Sequence, residues 1–198
     1  MIIPVAAFSA FLLLIVYQSR KIRIYNYGIE GEMKVANLLE QLPNEYIVYN
    51  DITIGNNQKG AQVDHLVISP YGLFCIETKN MKGTIIGNEN EEYWTQKKRG
   101  GGDNIYEKQF YNPCKQSSGH VKSIKYILKN PVFNGVPIYS VVVFTADQET
   151  TLHIESRNTP VLKASSILDY IKSKKQLRIE HELIKRVENV VDKNIYSS

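Results

Sequence analysis

The distribution of apolar and polar residues predicts a strand and then a hairpin in the first half of the chain. Tyr46 to Ile54 is rich in β-branched and aromatic residues, which favour a strand. Gln62 to Ser69 and Leu73 to Lys79 are two further apolar segments that flank Ser69-Pro70-Tyr71-Gly72. Proline and glycine at these positions are typical of a tight turn. We therefore expect the two segments to pair as antiparallel strands.

Helical spacing predicts the elements around this hairpin. In Gly28 to Leu42 the apolar residues recur at intervals of three and four, and Pro43 ends the helix. Asn112-Pro113 has the composition of a helix cap followed by a first helical residue, and this helix is expected to continue to about Lys129. The other predicted elements are short strands at Gly83–Gly87 and Tyr93–Gln96, a buried strand at Val136–Thr145, and helices at Ser166–Lys174 and Gln176–Lys193. This order predicts an α/β fold with a mixed β-sheet flanked by helices.

The first seventeen residues are almost entirely apolar. Residues 1–19 carry no charged side chain, and Arg20, Lys21 and Arg23 follow them. Seventeen residues of helix extend about 25 Å, close to the thickness of a bilayer core. Because the positive charges follow the apolar segment, the pattern predicts an uncleaved single-pass anchor with its N-terminus outside and the remaining chain cytoplasmic. The alternative is an apolar helix packed on the domain.

These patterns divide the chain into four regions. They are a transmembrane anchor at 1–19, a basic juxtamembrane linker at 20–27, the principal domain at 28–150, and a C-terminal helical extension packing on that domain at 151–198. The lipid bilayer is the partner expected for the first region. A chain of 198 residues is too short for two full-sized domains beyond the anchor.

Composition and charge narrow the function classes. With 43% hydrophobic residues the chain is not a disordered protein, and two cysteines, Cys75 and Cys114, provide neither a disulfide framework nor a zinc-type spacing. Between residues 93 and 129, eight Lys and Arg stand against two acidic residues, a net of +6 in a chain whose total is +4. Lys97, Lys98 and Arg99 in the glycine-rich segment 97–104 are candidates for phosphate contacts with nucleic acid. A solvated charged loop is the alternative.

The predicted hairpin brings two carboxylates together. If the turn is centred on Pro70-Tyr71, facing residues have numbers that add to 141, so Asp64 faces Glu77. Lys79 lies on the same face as Glu77 because the two residues are two positions apart. Toward the turn this face continues with apolar residues only, namely Leu66, Cys75, Ile68 and Leu73.

Facing carboxylates destabilise a strand pair unless a positive charge neutralises them. A divalent cation supplies two positive charges, and Mg²⁺ prefers oxygen ligands such as carboxylates, water and phosphate. Mg²⁺, with Mn²⁺ as the substitute, together with a water that Lys79 orients, would be suited to in-line attack on a phosphodiester. The alternative is an exposed, salt-bridged cluster without chemistry.

Two helices supply further candidates. Glu32 could be a third carboxylate, acting as a general base or a metal ligand, or an acid that the helix dipole stabilises. In the second helix Gln116 and His120 occupy the stripe that Ile124 and Leu128 continue, so their polar groups need partners. An adjacent metal and phosphate site would supply those partners, and a core histidine bonded to the backbone is the alternative for His120.

Several ordered motifs resemble the nuclease-related domain (NERD) family over about residues 28–145. They are Gly28-Ile29-Glu30-Gly31-Glu32, Gln62-Val63-Asp64-His65-Leu66-Val67, Gly72-Leu73-Phe74-Cys75-Ile76-Glu77-Thr78-Lys79-Asn80, Gly83, Trp94, and Asn112-Pro113-Cys114-Lys115-Gln116. That family is similar to the PD-(D/E)xK nucleases, which implies a restriction-endonuclease-like core and Mg²⁺-dependent cleavage of DNA. Val63 stands where the superfamily pattern has proline.

The resemblance also implies roles for individual residues. Glu32, Asp64, Glu77 and Lys79 match the acidic and lysine positions, and Gln116 matches the glutamine of the following helix. Asp64 and Glu77 would bind Mg²⁺, with the main-chain carbonyl of Thr78 as a further ligand, while Lys79 would position the attacking water. Glu32 would assist the metal or its water, and Gln116 would orient a phosphate or Lys79.

The sequence therefore predicts a membrane-anchored, cytoplasmic, nuclease-like protein that acts on DNA. RNA is the other substrate class considered, and a homodimer is a further expectation because many nucleases of this kind pair to cut both strands. The rival hypothesis is a catalytically inactive module that has kept the fold and binds DNA or a protein partner at the membrane.

Overall fold

Two mixed β-sheets flanked by helices organise the chain in the computed structural model, which describes residues 5–55, 60–101 and 104–197, with no side-chain description for residues 5–13 and 197. The helices are α1 (Val5–Leu39), α2 (Pro113–Ile127), α3 (Ile167–Ser173) and α4 (His181–Asp192). The strands are β1 (Ile47–Ile54), β2 (Ala61–Ser69), β3 (Gly72–Lys79), β4 (Gly83–Asn88), β5 (Tyr93–Arg99), β6 (Ile105–Tyr111), β7 (Ile138–Phe144), β8 (Thr150–Glu155), β9 (Val161–Lys163) and β10 (Ile195–Ser197). Short 3₁₀ helices cover Pro131–Phe133 and Ala164–Ser166.

The larger sheet has six strands in the order β10-β1-β2-β3-β7-β9. Its β2–β3 hairpin has the predicted register, since Ser69 pairs with Gly72 and the residue numbers of every pair back to His65 and Ile76 add to 141. On its other side β3 pairs in parallel with β7, so the strand that ends at Lys79 lies inside the sheet. The expectation of an antiparallel hairpin in a mixed sheet is confirmed.

Helices cover both faces of this sheet. One apolar cluster joins Leu66 and Leu73 to α2 and α4, and a second joins Val67 and Phe74 to α1 and α3. Burying both faces explains why β2 and β3 are apolar almost without interruption, rather than alternating with polar residues. The polar residues at one end of the hairpin are therefore exceptions to an apolar environment.

The smaller sheet has four strands in the order β6-β5-β4-β8, and Trp94 packs between it and the larger sheet. Here the sequence prediction is wrong in one respect, because Lys97, Lys98 and Arg99 belong to β5 rather than to a loop. They pair with β6, a strand that the sequence analysis did not predict. Residues 102 and 103 of the predicted loop lie outside the described residues. The region 151–198, expected to be helical, also contains β9 and β10.

The first helix differs most from its prediction. Residues 5–39 form one continuous helix, so the segment 20–27 is helical rather than a linker. The apolar segment passes without a break into Arg20, Lys21 and Arg23 of the same helix. Across the described residues no helix combines the length and the apolar character that crossing a membrane requires. The predicted single-pass anchor, with its N-terminus outside, is therefore wrong; residues 1–4 of that segment lie outside the described part of the chain.

Candidate functional site

The candidate site lies where the β2–β3 ladder stops. The last paired residues are His65 and Ile76, and the next residue on each strand is acidic, Asp64 on β2 and Glu77 on β3. Beyond this point the carboxylate of Asp64 takes the place of a main-chain acceptor, since the backbone N–H of Thr78 donates to its Oδ2 at 2.7 Å. The predicted juxtaposition of the two acids is present, but Asp64 reaches the backbone of β3 in the plane of the sheet.

Glu77 is held by two different elements. Its side chain is 1% exposed, and each carboxylate oxygen has its own donor. Lys79 Nζ donates to Oε1 in a very short contact, and His120 Nε2 lies 3.1 Å from Oε2. A buried charge requires partners of this kind, because an unpaired one would cost several kcal/mol. His120 is thus a partner of Glu77, and not a core histidine bonded to the backbone.

Helix α2 positions the polar groups that face β3. Its start is fixed by Asn112, whose Oδ1 accepts from the backbone N–H of Cys114 at 2.8 Å. From this cap, Gln116 and His120 fall one turn apart on the same helix face. Gln116 Oε1 accepts from Lys79 Nζ at 3.2 Å, so Lys79 bridges its own strand and the helix. The expected link between Gln116 and Lys79 is present.

The environment of Asp64 disfavours its charged form. Burial, which has the largest effect, and the neighbouring charge of Glu77 together raise the pKa of its carboxyl to about 7, while the bond from Thr78 and the charge of Lys79 act in the opposite direction. The positive charge of Lys79, which is bonded to Glu77, offsets these effects on Asp64 only in part. Strong perturbation of this kind is characteristic of functional sites.

Helix α1 brings Glu32 to the same place. Burial raises the pKa of Glu32, and the charges of Asp51 and Glu77 raise it further. Gln62 Nε2 donates to Asp51 Oδ1 at 2.8 Å, and Asp51 has a φ of 47°, in the left-handed region. The sequence analysis missed Asp51. The available signal was an Asn-Asp pair inside an otherwise strand-forming segment, and both residues tolerate this backbone conformation.

His65 follows Asp64 but lies on the α1 side of the sheet. Its Nδ1 is 2.7 Å from Asn50 Oδ1, and burial lowers its pKa to about 4, so the ring is neutral. Together with Glu32, Asp51 and Asp64 it lines a cavity of about 420 Å³ between α1 and the first two strands.

The three basic candidates lie on a different sheet. Lys97, Lys98 and Arg99 are at the end of β5, and Lys97 forms an ion pair of 2.7 Å with Glu107 of β6. The described contacts do not connect them to Asp64, Glu77 or Lys79. Their role in binding nucleic acid stays a prediction.

The oxygen atoms that lie where the β2–β3 pairing stops are of the kind that bind a divalent cation. In the described residues no three His, Cys, Asp or Glu side chains are arranged as a ready metal site. The donors that are present are two carboxylates and the main chain of Thr78, all hard oxygen ligands of the kind that Mg²⁺ and Mn²⁺ accept. Burial and the charge of Glu77 raise the pKa of Asp64, and a cation bound beside it would lower that pKa.

Residues 27–145 match the family described as nuclease-related domain. The chain belongs to this family. The matched range contains Glu32, Asp64, Glu77, Lys79 and Gln116, and it also contains His120. Membership in the nuclease-related domain family indicates a nuclease-like function, and the name is consistent with the relation to restriction-endonuclease-like enzymes that the motifs suggested.

Two other comparisons provide less information about function. An uncharacterized protein of Bacillus anthracis is 27% identical over 179 residues, which cover 85% of this chain and 79% of that protein. The search of solved structures finds no significant match to the chain.

Proposed function

We propose that this member of the nuclease-related domain family hydrolyses DNA phosphodiester bonds in a reaction that depends on Mg²⁺ or Mn²⁺. The observation that carries the proposal is the position of Lys79, whose ammonium group bonds both Glu77 and Gln116 beside the buried carboxylate of Asp64. Two acids and one lysine at an open strand end are the groups that metal-assisted attack on a phosphodiester requires.

Asp64 and Glu77 would hold the cation, together with the main-chain carbonyl of Thr78. The chemistry that a bound cation supplies is Lewis-acid polarisation of a phosphoryl oxygen and acidification of a coordinated water. The charge of the cation would also favour the ionised form of Asp64, which the protein alone disfavours.

Side chains of the protein would supply the remaining catalytic and positioning roles. Lys79 orients the attacking water and stabilises negative charge that develops on the phosphate, since an ammonium group aimed at developing charge lowers a barrier most in a desolvated site. Gln116 fixes the direction of Lys79, and His120 fixes that of Glu77. Glu32, whose pKa is raised by burial, would accept the proton of the water. Lys97, Lys98 and Arg99 would contact the phosphate backbone without reading sequence.

The test is a cleavage assay with the purified chain on plasmid, single-stranded and RNA substrates, in Mg²⁺, in Mn²⁺ and in EDTA. We expect metal-dependent cleavage of DNA, with Glu77→Gln and Lys79→Met each lowering the rate by about 100-fold or more, the size typical of losing one electrostatic group from an active site. Both substitutions keep the side-chain volume nearly constant, so circular dichroism and the Tm report whether the fold is intact.

Matched controls lie at the far end of the hairpin. Glu45→Gln removes an acid paired with Arg178, and Lys174→Met removes a lysine that stacks over Tyr170, both close to the Pro70 turn. These variants should cleave within about twofold of the wild type, as distant surface changes usually do. Cleavage that survives Glu77→Gln and Lys79→Met would refute the site, and binding without cleavage would identify an inactive binding module.

A further inference from the structure

Of the residues that line the cavity beside the candidate site, the proposed chemistry uses only Glu32 and Asp64. The cavity has a volume of about 420 Å³, within the range of pockets that bind small organic groups. One wall belongs to α1, and the opposite wall carries Asn50, Asp51 and Gln62 from β1 and β2. Asp64 lines the cavity and also accepts the bond from Thr78, so the cavity opens directly onto the position proposed for the scissile phosphodiester.

A buried hydrogen-bond acceptor lies in its wall. His65 is 1% exposed, and we assign the ring proton to Nδ1, which lies 2.7 Å from the side-chain oxygen Oδ1 of Asn50. Nε2 is then an unprotonated acceptor, and in the described part of the chain it has no hydrogen-bond partner. Because a buried polar atom without a partner is costly, its retention points to a ligand that supplies an N–H group.

The mouth of the cavity is apolar and open. Ile24 and Tyr25 are each 70% exposed and Met33 is 59% exposed, although all three line the cavity. At Gly28, between them, an added Cβ would meet no atom within 4 Å. Exposed aromatic and apolar side chains at an opening of this kind are suited to stacking on a flat, partly apolar ring.

From these observations we propose that the cavity receives an unpaired nucleobase from the nucleotide next to the scissile phosphodiester. The base would stack at Tyr25 and donate an N–H group to His65 Nε2. This inference rests on the proposed function and specifies its substrate, which is DNA that is single-stranded or unpaired at the cleavage position.

Base pairing is what separates this substrate from duplex DNA. The ring and amino N–H groups on the Watson–Crick edge of a paired base already donate to the opposite strand, and its two faces are stacked between neighbours. Only an unpaired base can present both an N–H donor and a free face to the cavity, as bases do when proteins extract them from a stack.

The decisive variant is Gly28→Leu. Leucine at this position fills the mouth without meeting backbone, and it favours the helix more than glycine does. Gly119→Leu is the matched control, because Gly119 is also helical and an added Cβ there also meets nothing within 4 Å, but it is exposed and does not line the cavity.

The experiment is a binding titration with an oligonucleotide that contains 2-aminopurine, a fluorescent base with an exocyclic amino group, as a single strand and as a duplex. It uses the full chain with Ca²⁺ in place of Mg²⁺. The wild type and Gly119→Leu should bind the single strand about tenfold more tightly than the duplex, the size expected for stacking one base. Gly28→Leu should lose this preference and keep its affinity for the duplex.

The outcomes separate the two proposals. Equal affinity for both forms, no binding of the single strand, or a preference that survives Gly28→Leu would overturn the cavity assignment, whatever the cleavage assay gives. A preference that Gly28→Leu abolishes, in a chain that cleaves no substrate, would refute the proposed hydrolysis and retain the base-binding cavity.

Discussion

The two ends of the β2–β3 hairpin are built on opposite principles. At the turn end, which comprises Ile68, Ser69, Gly72 and Leu73, each residue is fully buried and the ladder is complete. At the open end, which comprises Asp64, Glu77, Thr78 and Lys79, the ladder stops and side chains replace main-chain partners. The same pair of strands therefore contributes apolar packing at one end and unbalanced charge at the other.

This difference separates stability from chemistry. Apolar burial at the turn end stabilises the fold, whereas carboxylates buried side by side at the open end oppose it. Sites that hold like charges in this way are often stabilised by removing the charge, at the expense of activity. Changes at the two ends should accordingly have effects of opposite sign on the free energy of unfolding.

The largest expected effect is the pH dependence that Asp64 causes. Its pKa rises from an ordinary value of 3.8 to about 7 in the folded chain, so the folded state keeps a proton that the unfolded state has lost. The stabilising contribution is complete below pH 4 and disappears as the pH rises through 7, a change on the order of 4 kcal/mol at about 1.4 kcal/mol per unit.

Asp64→Asn removes this titration and keeps an oxygen that can accept from Thr78. Urea unfolding of the wild type and of Asp64→Asn between pH 4 and 8, without divalent cations, measures the difference. We expect the free energy of unfolding of the variant, relative to that of the wild type, to increase steadily as the pH rises. At pH 8 the variant should be the more stable protein. Parallel curves would show that Asp64 is ionised at little cost.

A smaller effect of opposite sign is expected at the turn end. Leu73 is 0% exposed and belongs to the apolar cluster under α2 and α4. Leu73→Ala should lower the free energy of unfolding by about 3 kcal/mol, because it removes buried surface and leaves a cavity. Leu177→Ala, at a leucine that is 63% exposed, should change it by less than about 0.5 kcal/mol. Urea denaturation measures both changes. Equal losses in the free energy of unfolding at the two positions would contradict the close packing of the turn end.

The smallest effect concerns the turn itself. Ser69 Oγ donates to the carbonyl of Gly72 at 2.8 Å and accepts from the backbone N–H of Tyr71 at 3.1 Å. Ser69→Ala should lower the Tm by an amount equivalent to about 1 kcal/mol, since it leaves a buried carbonyl and N–H without these partners. Ser123→Ala, at an exposed helical position, is the control and should leave the Tm nearly unchanged. An unchanged Tm in Ser69→Ala would mean that the turn geometry holds without the hydroxyl.

The hairpin and its site could be predicted because local chemistry decides them. Pro70 and Gly72 define a short turn, and once the turn is fixed the period of a strand determines which residues face one another. The helical stripe that Ile124 and Leu128 continue predicted that Gln116 faces the core, whereas its link to Lys79 was implied by the resemblance to the nuclease-related domain family. The register of the hairpin depends on a few neighbouring residues and not on the rest of the fold.

Other features depend on tertiary context. β6 has a polar centre, Glu107-Lys108-Gln109, and almost all of its side chains are exposed, so its backbone pairing with β5 sets the strand and an apolar pattern does not. The conformation of Asp51 is set by contacts with Gln62 and neighbouring strands. The apolar start of α1 resembles a membrane anchor in composition, but the helix continues without interruption into residues that pack on the sheet.

The inner position of β3 links the durability of the site to that of the whole molecule. Glu77, Thr78 and Lys79 pair with Val142, Val143 and Phe144 along the parallel neighbour β7, and on the other edge, where the ladder with β2 has ended, the carboxylate of Asp64 accepts from the N–H of Thr78. Local fraying cannot release a strand enclosed in this way, so its amide protons should exchange with solvent only when the entire sheet opens. Loss of the site on heating should then coincide with the cooperative unfolding of the whole sheet.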